Sequence, residues 1–177
     1  MKYFITTLVT ALTLCAAAAE IDINGKFIKG MDGWISVPKG VVTEIKTKEH
    51  DRCKLQLDAR GKDKKRILVY SRMYSAGSTG DEITLEAVAS GTGTGFVGVI
   101  CFEGGGSQAN ILYKYIYAKP ESKKYSFKVT LPESRLKDRK GNVRKVAKIR
   151  ILFGILPGAN ITFTEVNASP VPKQILK

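Results

Sequence analysis

Three tyrosines spaced two apart, Tyr113, Tyr115 and Tyr117, stand in the stretch Ile111-Leu112-Tyr113-Lys114-Tyr115-Ile116-Tyr117. Side chains alternate along an extended strand, so the three phenols share one face while Leu112 and Ile116 take the other. A row of phenols left partly open to solvent is a platform: flat sugar faces stack on the rings by CH–π contact and the hydroxyls bond at the rim. The same spacing also suits tyrosines that cover a core or line a sheet edge, and both employments stay open at this stage. A second cluster lies in Ile67 to Tyr74, where Tyr70 and Tyr74 share a parity with Arg72 between them. If that face joins the tyrosine row, Arg72 anchors an acidic or hydroxyl-rich ligand.

Acid–base chemistry has little to draw on. His50 is the only histidine and sits in the polar stretch Lys48-Glu49-His50-Asp51-Arg52, which reads as an exposed turn. One histidine and widely separated cysteines give no zinc spacing. Asp58, Asp81, Glu82, Glu86, Glu103, Glu121 and Glu165 are enough to supply the pair of acids that a hydrolase uses, but none sits in a recognisable catalytic motif, and surface ion pairing is the expected use of each. A glycan-active enzyme would need two of them within about 10 Å across a groove, so the expectation is a chain that is not an enzyme. The run Gly91-Thr92-Gly93-Thr94-Gly95 lacks the Lys-Ser/Thr ending of a phosphate loop and no helix follows it, which makes it a strand connection. Trp34, the sole tryptophan, is expected to pack.

The first 19 residues carry Lys2, an apolar run from Phe4 through Cys15, and Ala16 to Ala19 before Glu20. That is the pattern of a signal peptide cleaved after Ala19, which predicts a secreted or periplasmic protein. No later stretch approaches the roughly 20 apolar residues of a membrane helix. Cys53 and Cys101 then remain, an even number in an exported chain, and a disulfide between them is one reading. Each is also in phase with apolar strand neighbours, so two small core side chains is the other. With 29 basic and 16 acidic side chains the formal net charge is +13. Such a surplus draws polyanions, among them sulfated or uronate-rich glycans, anionic envelope surfaces and nucleic acid, or else simply keeps the protein in solution. Nucleic acid is not the expected partner.

Short β-rich runs separated by Gly, Asn, Ser and charged clusters recur after residue 20, with almost no helical periodicity. The strands expected are Lys26–Phe27, Trp34–Val37, Val41–Lys46, Cys53–Asp58, Ile67–Met73, Glu82–Ala89, Phe96–Glu103, Ile111–Tyr117, Lys124–Thr130, Ala147–Leu156 and Ile161–Val166. Eleven short runs predict an all-β chain folded as a two-sheet antiparallel β-sandwich over residues 20–167. Residues 168–177 contain Pro170 and Pro172, lose alternation and read as a loose tail.

The order of several local patterns resembles the jelly-roll carbohydrate-binding modules of the galactose-binding-domain-like type. Ile23-Asn24-Gly25-Lys26-Phe27 followed by Gly33-Trp34 is similar to their opening, and Ala76-Gly77 to Glu86-Ala87, leading to Val97-Gly98-Val99, is similar to their central strands. Lys124 to Pro132, then Arg150-Ile151 to Pro157-Gly158-Ala159-Asn160 and on to Thr164-Glu165-Val166, is similar to their closing strands. The resemblance implies a jelly roll and a non-catalytic, secreted glycan-binding module, with an acidic polysaccharide suggested by the charge. It also implies a structural calcium near Glu165, although Lys26 and Ile28 stand where such modules carry acids. Because this fold is widely reused, a structural or adhesive envelope protein that docks proteins or surface polymers is the alternative.

Overall fold

The computed structural model describes residues 23–47, 53–61, 65–134 and 137–171. The leader 1–19, His50 and the end 172–177 lie outside the described residues. Eleven strands follow one another: β1 Trp34–Val37, β2 Val42–Lys46, β3 Cys53–Asp58, β4 Ile67–Ser71, β5 Tyr74–Ser75, β6 Glu82–Thr92, β7 Thr94–Glu103, β8 Gln108–Tyr117, β9 Lys123–Thr130, β10 Val146–Ile155 and β11 Asn160–Val171. They pair antiparallel into two sheets: sheet A in the order β1-β4-β10-β7-β8, with β5 also on β10, and sheet B in the order β2-β3-β11-β6-β9. This is the two-sheet sandwich that the alternation predicts. No helix among the described residues is long and apolar enough to cross a membrane.

Three expectations change. Lys26–Phe27 is a turn, not a strand, because Asn24 and Phe27 both take φ near 51°. The Asn24 side chain ties that turn, its amide donating to the Gly30 and Asp32 carbonyls at 3.1 and 3.0 Å. The run Ile67–Met73 stops short at Ser71, the end of β4, and the chain re-enters the sheet as β5 at Tyr74–Ser75. Residues 168–171, expected in a loose tail, belong instead to β11, which pairs with β6 as far as Val171↔Glu82. At that end β3 no longer flanks β11, whose pairing with it spans only Asn160–Phe163, and an edge of this kind tolerates Pro170.

Inward alternation fills the space between the sheets with Leu55, Leu57, Leu85, Val97, Val99, Ile151, Ile155 and Ile161, all buried. Trp34 belongs to this core, with Phe153 edge-on to it at 5.0 Å between ring centroids and Phe27 at 6.0 Å. The chain passes from sheet B to sheet A through Thr92-Gly93-Thr94 and returns through Leu156 to Ala159. These two crossings pack on each other. A Cβ on Gly93 would lie 2.7 Å from the Ala159 Cβ, and Gly93 has φ of 92°. The glycine run is therefore a corner of the sandwich, which is what the absence of phosphate-loop features implies.

Candidate functional site

In sheet A, register joins the outward side chains of five strands into rungs. One rung runs Ile35, Tyr70, Leu152, Gly98, Tyr113, and the next runs Val37, Leu68, Gly154, Phe96, Tyr115. A third carries Arg150, Ile100 and Ile111, and Tyr117 stands opposite Thr94 at the end of β8. The three tyrosines of β8 thus share the outer face, while Ile116 is buried on the other side. They are open to solvent: Tyr113 is 39%, Tyr115 45% and Tyr117 71% exposed. Ile35, Val37 and Ile111 are exposed on the same face, so an apolar and aromatic surface lies uncovered where a solvated sheet normally shows polar side chains.

Two glycines keep the middle of this face low. A Cβ on Gly154 would overlap the Ile67 carbonyl and come within 2.5 Å of the Phe96 ring, and one on Gly98 would come within 2.7 Å of the Tyr113 Cβ. Because Gly154 puts nothing in the way, Arg66 crosses from the β4 side to lie 4.6 Å above the Phe96 ring centroid and 5.7 Å from that of Tyr113. Tyr113 in turn meets Phe96 and Tyr115 edge to face, at 6.0 and 5.3 Å. The Tyr115 hydroxyl donates a long hydrogen bond, 3.4 Å, to that of Tyr113, and this bond raises the Tyr115 phenol above its ordinary pKa.

On the far side of the face, Arg150 stacks over Tyr70 at 4.8 Å and lies 5.9 Å from the Phe102 ring. Its Nε is buried without a hydrogen-bond partner. None of the described residues in these rungs is an Asp or Glu. At the open edge of β8, residues Ile111 to Lys114 and Lys128 to Thr130 border a cavity of about 430 Å³ between the two sheets.

The second tyrosine pair divides. Tyr70 joins the face, but Tyr74 pairs with Ile149 and packs against the core. The cause is an extra residue: Leu152 pairs with Tyr70 and Ile149 with Tyr74, so the β4 side spends one residue more than β10 and the parity flips. Ser71 bridges the irregularity, its hydroxyl accepting from Ile151 N–H at 2.9 Å and donating to the Arg72 carbonyl at 2.8 Å. Arg72 is exposed at this step, its backbone N–H bonded to the Gly33 carbonyl at 2.9 Å. The guanidiniums that lie over rings of this face are those of Arg66 and Arg150. Their parity was readable, since Arg66 shares that of Leu68 and Tyr70, but their ring partners lie on distant strands.

Cys53 and Cys101 are buried free thiols, one in each sheet. Burial pushes the Cys101 thiol up to about 11. These are the two small core side chains of one sequence reading and not the disulfide of the other. Glu165 accepts a hydrogen bond from the Asn167 amide, and no group of three or more His, Cys, Asp or Glu able to hold a metal occurs among the described residues.

No family model matches the sequence and no curated protein matches it. Solved structures do. A CBM4 structure aligns with a TM-score of 0.50 at 14% identity, over 84% of this chain and 98% of that one. A family 16 carbohydrate-binding module-2 gives 0.52 at 14%, over 82% and 96%. The fold is that of the carbohydrate-binding β-sandwiches. The enzymatically active domain of tailspike protein 4 from bacteriophage CBA120 also contains it, with a TM-score of 0.59 at 14% identity. Here the jelly roll covers 84% of this chain but only 21% of the phage chain.

Proposed function

We infer that the outer face of sheet A binds a glycan as a preformed, non-catalytic surface. The observation that carries this reading is the rung system itself: solvent-exposed tyrosines on β8 and Tyr70 on β4, joined across the sheet through the buried Leu152 and Gly98. Tyr70 and Tyr113 are three strand spacings apart, about 14 Å, so an oligosaccharide laid across the sheet stacks on rings at both ends. Rigid aromatic side chains lose little freedom on binding, and a face already shaped needs little rearrangement. An anionic glycan suits the surface, because Arg66 and Arg150 supply its charge and its rungs contain no carboxylate. The leader pattern would place the protein outside the cytoplasm, where such polymers occur.

Affinity electrophoresis of the protein through gels containing single polysaccharides, at low and high salt, tests the reading. Stacking predicts selective retardation that persists at high salt. Replacing Tyr113 and Tyr115 together by alanine should weaken it by about a hundredfold, roughly tenfold for each ring. Retardation only by polyanions, indiscriminate and lost at high salt, would favour the structural or adhesive role instead.

A further inference from the structure

We propose that Arg150 reads a carboxylate, so that the glycan taken by this face is a polyuronate. The proposal rests on the glycan-binding reading and specifies its ligand.

Arg150 sits on the outer face in the rung of Ile100 and Ile111. Its guanidinium lies over Tyr70 at 4.8 Å and near Phe102 at 5.9 Å, so ring faces fix the plane of a side chain that is otherwise one of the most mobile. Nε is sealed from solvent with no partner, which leaves the two Nη groups as the edge that a ligand meets. No ion pair holds Arg150 among the described residues, whereas Arg60 and Arg144 each have one. Most arginines at a protein surface find a carboxylate or stay loose in water. This one is held in place and left uncompensated. A planar, oriented guanidinium edge matches the two oxygens of a carboxylate through parallel N–H···O bonds, a match that neither a hydroxyl nor a compact ammonium reproduces.

Arg66 repeats the arrangement over Phe96 and Tyr113, also without an ion pair among the described residues. Phe96 and Ile100 are four residues apart on β7, about 13 Å. The rings under the guanidiniums set their spacing better: Tyr70 under Arg150 is one rung along and two strand spacings across from Phe96 under Arg66, about 12 Å, so a polymer with acids on several of its rings can meet both.

The deciding measurement compares binding of the unaltered protein to polygalacturonate and to the same polymer with its carboxyls reduced to neutral alcohols, beside dextran sulfate. The expected result is affinity for polygalacturonate about ten- to a hundredfold above that for the reduced polymer, because a charge-assisted hydrogen bond to an ion contributes that much. Dextran sulfate should compete poorly at high salt. Arg150→Gln should remove the preference, and Arg150→Lys, which keeps the charge but not the fork, should restore little of it. Equal binding of both polymers by the unaltered protein, or full binding by Arg150→Lys, would overturn the proposal and leave glycan binding standing. Tighter salt-resistant binding of dextran sulfate would overturn it in favour of sulfate. Failure to bind any polysaccharide would sink the glycan reading, and this inference with it.

Discussion

The two outer faces of the sandwich arise from the same alternation of side chains and differ in what the alternation presents. On sheet B the outward positions of β6 and β9 are Glu82, Thr84 and Glu86 beside Lys124, Ser126 and Lys128. Lys124 pairs with Glu86 at 2.9 Å and Lys128 with Glu82 at 3.6 Å. Charges there cancel locally. On sheet A the corresponding positions are tyrosines, isoleucines, a valine and two arginines lying on rings, with no carboxylate among the described rung residues. A solvated sheet face needs nothing beyond what sheet B offers. The exposed tyrosines and unpaired guanidiniums of sheet A serve no structural end that sheet B lacks, and that contrast is the ground of the proposal that sheet A carries the ligand.

The most severe way to break the contrast is to fill the low centre of sheet A. Gly154→Val forces a branched side chain against the Ile67 carbonyl and the Phe96 ring. Overpacking of this kind should cost about 3 kcal/mol, or a fall of about 6 to 12 °C in Tm, measured by thermal unfolding. The same change should displace Arg66 from Phe96 and abolish glycan retardation. An unchanged Tm would mean that the glycine is not the constraint described.

A subtler test sets ion pairs in the two sheets against each other. Glu103, at the end of β7, is a buried carboxylate that accepts from Arg144 at 2.7 Å. That hydrogen bond holds its pKa below the usual carboxylate range. A carboxyl whose folded pKa is depressed contributes stability above its unfolded value, about 4.3 for Glu, and loses it as the pH falls through the folded value. Arg144→Met removes the partner, so acid unfolding followed by circular dichroism should shift to higher pH. If the acid limb stays where it was, Glu103 is not held by Arg144. The smallest effect belongs to sheet B, where Lys124 and Glu86 are 61% and 31% exposed at their side chains. Lys124→Ala should change stability by about 0.5 kcal/mol or less in chemical denaturation and leave glycan retardation unchanged. A binding defect there would undo the assignment of one face to ligand and the other to solvent.

Much of the fold was legible because alternation and turn residues are local. Trp34–Val37 and Cys53–Asp58 emerge with the expected bounds, and Ile111–Tyr117 is longer only by three residues at its start. The shared face of Tyr113, Tyr115 and Tyr117 follows from the same local rule. What the sequence withheld is non-local. Tyr70 reaches the rung of Tyr113 through Leu152 and Gly98, strands that a jelly roll brings together from distant parts of the chain. Arg66 and Arg150 become notable only once Phe96, Tyr113, Tyr70 and Phe102 are known to lie beneath and beside them. Tyr74 was misdirected by the single extra residue after Ser71, which has no compositional mark: Arg72 and Met73 look like ordinary strand residues. Phe27 was read as a strand residue because φ near 51° at a phenylalanine is not something composition announces.

The packed corner where Gly93 meets Ala159 bears on how this chain can vary through descent. Neither crossing between the sheets can acquire bulk while the other stays as it is, since 2.7 Å already separates the positions of their two Cβ atoms. Segments 91–95 and 157–160 should therefore drift as one heritable unit across relatives, tolerating paired replacements and rejecting single ones. Strands β7 and β10, which meet this corner, are free to change their outward side chains only as long as the corner is inherited intact.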